Sequence, residues 1–114
     1  MIRGKVIVGN RLASELGYPT ANLDIGVSST QLSDGVYAAW ASLRGQKYAA
    51  ALIIQRAVKK VEVHLLNYNG NDFYAEQIEV QAVQRISEIE RVDSAALKQK
   101  ISEDVELVKQ VLKL

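Results

Sequence analysis

Residues 61–67 read "VEVHLLN". Apolar and polar side chains alternate here, which is the period of a strand whose successive residues face opposite ways. Val61, Val63 and Leu65 share one face, and Glu62, His64 and Leu66 share the other. Leu66 argues that this second face is more than a wetted surface, because an apolar side chain there calls for cover. The same face carries the chain's only histidine.

Working outward, "IRGKVIV" (2–8) alternates in the same way. "GVYAAWASL" (35–43) and "KYAAALIIQ" (47–55), joined by "RGQ" (44–46), predict a hairpin. Asn69-Gly70 is a tight-turn signal, and "FYAEQIEVQAV" (73–83) reads as the strand after it. Residues 9–34 hold Gly9, Gly17, Pro19, Gly26 and a polar tract, and read as a long, mostly irregular segment. Segments of that kind are uncommon in compact domains and often functional.

The period changes from Leu97. Leu97, Ile101, Val105, Val108 and Leu112 form a helical stripe with charged residues between them. Asp93 or Ser94 can cap its start. Short antiparallel strands followed by one amphipathic helix predict a mainly β fold: a closed or nearly closed barrel with the helix packed outside. That arrangement removes sheet edges and buries the helical stripe.

Composition narrows the function. A length of 114 residues fits one domain over 1–114, and an apolar fraction of 48% can fill its core. The absence of cysteine removes disulfides, thiolate metal sites and thiol nucleophiles. Basic and acidic residues number 14 and 13, mixed along the chain for a net +1, so no basic stripe invites nucleic acid. No apolar run approaches the roughly 20 residues of a membrane helix. The start does not resemble a secretory leader. The expectation is a cytoplasmic chain with no nucleic-acid or membrane partner, its oligomeric state open. The Lys59-Lys60 pair reads as a solvated edge.

Pro19 fixes its own backbone and pushes Tyr18 towards extended geometry. If the chain stays extended, Thr20 and Asn22 point the same way, each with a neutral oxygen. Such oxygens suit magnesium that is shared with phosphates and water, although a local turn satisfied by the same side chains is the commoner use. Gly9 and Gly17 are turn glycines or part of an anion-binding loop, and match neither a Walker nor a Rossmann motif. Glu62 is a candidate general base on a rigid strand, or one carboxylate on a half-exposed face. For His64, a hydrogen-bonding role is expected.

In this order and spacing the pieces resemble the riboflavin kinase (flavokinase) family. The most specific is "LGYPTANLD" (16–24). "GKVIVG" (4–9), "DGVYAAW" (34–40), "VEVHLLN" (61–67), "NDFYAEQIEV" (71–80) and "VDSAALKQKISEDVELVKQVL" (92–112) are similar to its other elements. The resemblance implies a small Greek-key antiparallel β-barrel with a C-terminal helix. It implies transfer of the ATP γ-phosphoryl group to the ribityl 5′-hydroxyl of riboflavin, giving FMN and ADP. Thr20 and Asn22 would then ligand Mg2+ and contact the nucleotide, with Gly9, Gly17 and Pro19 in the ATP site. Glu62 would be the catalytic base. The flavin ring would lie near residues 85 to 94, where Ser87 and Val92 stand in place of the family's frequent arginine and phenylalanine. Ala13 stands where a loop glycine is usual, and "LIIQRAVKKVEV" (52–63) lacks the family's glycine and proline. These departures motivate an alternative, a non-catalytic relative that binds flavin or nucleotide.

Overall fold

The computed structural model describes residues 2–7, 20–24, 30–66, 68, 76–89 and 94–113. Among them are six strands: β1 (Ile2–Ile7), β2 (Thr20–Leu23), β3 (Gly35–Leu43), β4 (Gln46–Gln55), β5 (Lys60–Leu65) and β6 (Gln77–Ser87). One helix follows, α1 (Ser94–Leu112). The strands close into a barrel in the order β1-β2-β5-β4-β3-β6, and every pairing is antiparallel. The run β3, β4, β5 is consecutive, and β6 returns to lie beside β3, which is the Greek-key order.

Alternation decides what fills the barrel. Val61, Val63 and Leu65 point inward and meet Val6, Leu23, Leu52, Ile78 and Val80 in the interior cluster. The opposite face of β3 and β4 is built largely from alanines. Ala38, Ala49 and Ala51 leave room for α1, whose Ile101, Val105 and Val108 pack there with Val36 and Leu66. Leu66 is thus covered, as its place in the alternation requires.

Two local features follow from backbone chemistry. The β3–β4 loop is the pair Arg44-Gly45, with φ of 52° and 78°. Positive φ at both centres matches the twist of a two-residue hairpin, and Gly45 adopts it without steric cost. Gly35 opens β3 at φ 152°, where a Cβ would lie 2.5 Å from Arg85 Nε. Its bare Cα lets that guanidinium reach the Asp34 carbonyl, 3.1 Å from Nε and 2.9 Å from Nη2.

Two expectations need correction. Thr20–Leu23 is a strand inside the segment read as irregular. At four residues it is too short to show a period, and its partners β1 and β5 come from distant sequence. β6 runs to Ser87, four residues beyond the expected end at 83. Its pairing with β3 shifts register twice, which breaks the alternation along it. α1 begins at Ser94, one of the two positions read as its cap and three residues before the apolar stripe. Asp93, the Asn69-Gly70 turn and residues 71–75 lie outside the described residues.

Candidate active site

β5 is introduced by a single 3₁₀ turn, Arg56–Val58, closed by Lys59 at φ 53°. The Lys59 N–H donates to the Arg56 carbonyl at 3.0 Å. From there the outer positions of β5 are Lys60, Glu62 and His64. Glu62 and His64 are buried, at 7% and 6% exposure, while the Lys60 side chain is 29% exposed. The pair reading of Lys59 and Lys60 as a solvated edge therefore holds for Lys59 alone. Lys60 closes on Glu62, with Nζ 2.8 Å from Oε2. The signal was in the sequence: residues two apart on a strand share a face, so a cation at 60 meets a carboxylate at 62.

The two carboxylate oxygens of Glu62 are held differently. Oε1 pairs with His64 Nε2. An ionised carboxylate only accepts, so Nε2 carries the proton and donates. Oε2 is buried and faces the Lys60 ammonium at 2.8 Å. Lys60 thus covers the second oxygen as His64 covers the first. Burial pushes the Glu62 carboxyl up. The hydrogen bond and charge of His64, joined by Lys60, outweigh burial and hold the carboxyl below the ordinary carboxylate range.

Neighbouring strands complete the setting. On β4, Ile53 stands opposite Glu62 and Ala51 opposite His64, which keeps that side apolar. On β2, Asn22 stands opposite Glu62, and Thr20 pairs in register with His64. Directly opposed residues of an antiparallel pair share a face, with Cβ atoms about 5 Å apart. Asn22 is half-buried. The barrel thus brings Asn22 and Glu62 together from positions forty apart in sequence. Among the described residues no group of three or more His, Cys, Asp or Glu could hold a metal. A divalent cation beside Asn22 would rest on neutral oxygens and on oxygens that a ligand supplies, the mixed donor set that suits magnesium with phosphates.

Ser87 lies elsewhere. β6 is three strands from β5 in either direction round the barrel. The Ser87 hydroxyl donates to Asp104 Oδ1 at 2.7 Å and accepts from Lys100 Nζ at 2.9 Å. Lys100 also donates to Asp104 Oδ2 at 2.7 Å. These three side chains clasp the end of β6 to α1. Gly9, Gly17, Pro19 and Val92 lie outside the described residues.

A profile of flavokinase, the riboflavin kinase domain, matches residues 1–112. The chain belongs to the riboflavin kinase family. It is 36% identical over 123 residues to the bifunctional riboflavin kinase/FMN adenylyltransferase of Buchnera aphidicola, across 99% of this chain and 39% of that protein. Its fold is similar to the crystal structure of riboflavin kinase from Trypanosoma brucei, with TM-score 0.72 and 26% identity over 97% of this chain and 75% of that one. It is also similar to part of a Streptococcus pneumoniae structure described as a macrolide-efflux protein, with TM-score 0.81 and 31% identity over 94% of this chain and 37% of that one. The chain spans between 35% and 49% of the length of the curated relatives it matches. Family membership bears out the mainly β barrel with its C-terminal helix. No described helix is long and apolar enough to cross a membrane.

Proposed function

We propose that this chain transfers the γ-phosphoryl group of ATP to the 5′-hydroxyl of riboflavin, giving FMN and ADP. The observation that carries this reading is the opposition of Asn22 on β2 and the buried carboxylate of Glu62 on β5. Phosphoryl transfer asks a protein mainly for positioning and charge stabilisation, with a carboxylate beside the attacking hydroxyl. Glu62 on a paired strand is such a group, and His64 fixes its orientation through Oε1.

In the proposed reaction the riboflavin hydroxyl oxygen forms a bond to the γ-phosphorus, and the bond from that phosphorus to the ADP oxygen breaks. The hydroxyl proton passes to Glu62 Oε2. A carboxylate held below its ordinary range is a weak base, so it orients the hydroxyl first and takes the proton late. Thr20 and Asn22 would hold Mg2+ and touch the phosphates, where bound magnesium would neutralise phosphate charge. Gly9, Gly17 and Pro19 are assigned to the ATP site, and Ser87 and Val92 to the neighbourhood of the flavin ring.

A second reading, a non-catalytic flavin or nucleotide binder, draws on one observation: Lys60 rests on the oxygen that would take the proton. Incubating the chain with riboflavin, ATP and magnesium and separating flavins by chromatography distinguishes the two. FMN formed with turnover supports the kinase. Saturable binding of FMN or ADP without turnover supports the binder.

A further inference from the structure

We propose that Lys60 is a mobile cation of this site, resting on Glu62 Oε2 before nucleotide binds and moving to the nucleotide phosphates when it does. The proposal rests on the kinase reading above and assigns a new residue to it.

Two lysines of this fold are held differently. Lys100 is 12% exposed, donates directed bonds to Ser87 Oγ and Asp104 Oδ2, and so is locked into the wall of the fold. Lys60 is 29% exposed and, among the described residues, meets the single partner Glu62 Oε2 at 2.8 Å. It gives up one contact when it leaves, where Lys100 would give up two. A lysine carries a compact charge on a flexible four-carbon stem, so its ammonium can move without the backbone.

The two oxygens of Glu62 also differ in what covers them. Oε1 is held by the buried ring of His64. Lys60, the most exposed of the three side chains, sits on Oε2. A hydroxyl that gives its proton to Glu62 must use Oε2, and must find the ammonium displaced. A triphosphate beside Asn22 offers that ammonium more negative oxygens than one carboxylate does. The same movement would free Oε2 and add a positive charge where charge builds on the transferring group. Nucleotide binding would thereby ready the base.

The test uses Lys60→Met, which keeps the apolar stem and removes the charge, with Lys60→Arg beside it. Binding of ATP with magnesium is followed by calorimetry, and turnover by FMN formation. Lys60→Met should weaken ATP binding about tenfold, the loss of one charge-assisted bond. Riboflavin binding should match the parent. Lys60→Arg should bind ATP within about threefold of the parent, since it keeps a cation. ATP binding by Lys60→Met equal to the parent's overturns the proposal, as does Lys60→Arg binding as weakly as Lys60→Met. Glu62→Gln separates the two levels. Full turnover in Glu62→Gln removes the kinase site itself. An inactive Glu62→Gln beside unaltered ATP binding in Lys60→Met removes only the role of Lys60.

Discussion

Asn22 and Glu62 stand directly opposite one another across the β2–β5 ladder, although forty residues separate them in the chain. Neither strand could hold this pair alone. β2 is four residues long and, among the described residues, pairs with β1 and β5 on its two sides. The site therefore depends on barrel closure. Asn22→Ala should raise the KM for ATP with little change in the KM for riboflavin. Steady-state kinetics with each substrate varied in turn checks this, and the expected rise is about tenfold for one lost polar contact.

His64 acts on Glu62 through a buried bond. His64→Ala leaves Oε1 buried without its donor, which costs roughly 1–3 kcal/mol. The melting temperature should fall. Turnover should fall too, but by less than with loss of Glu62, because the carboxylate remains. His64→Ala with the stability of the parent would show that the bond contributes nothing.

Stability should depend on pH through Glu62. The folded chain holds this carboxyl below its ordinary value of 4.5. The unfolded chain therefore binds the proton more readily. The resulting stability is complete above the unfolded value and is lost as pH falls through the lower folded value. Thermal melts between about pH 7 and about pH 3 should show a steeper loss in the parent than in Glu62→Gln. Parallel curves would contradict the linkage.

How much of this was legible in sequence depends on how local each feature is. The alternation of Val61, Glu62, Val63 and His64 marks β5 and by itself places Glu62 beside His64. The stripe of Ile101, Val105 and Val108 marked the buried face of α1 in the same way. The strand Thr20–Leu23 was hidden because four residues carry no period and its pairing is non-local. The end of β6 was hidden because two register shifts against β3 interrupt its alternation. The role of Lys60 is less legible, because a lysine pair usually faces water. Its carboxylate partner two residues on was the cue that outweighs that habit.

The clasp at the end of β6 gives a further prediction. Lys100 and Asp104 are both nearly buried, at 12% and 11% side-chain exposure, and share Ser87 between them. Asp104→Ala leaves the Lys100 ammonium buried without its partner, at a cost of roughly 3 kcal/mol. A denaturant titration should register that loss. Ser87→Ala removes only the neutral member and should cost about 1 kcal/mol.

The central claim is that Glu62 takes part in phosphoryl transfer to riboflavin. The most direct measurement is the initial rate of FMN formation from riboflavin, ATP and magnesium, for the parent and for Glu62→Gln, which keeps size and shape. The account predicts turnover by the parent and a rate lower by roughly 10²–10⁴ in Glu62→Gln, with the fold intact by circular dichroism. A Glu62→Gln chain that forms FMN at the parent's rate would contradict it.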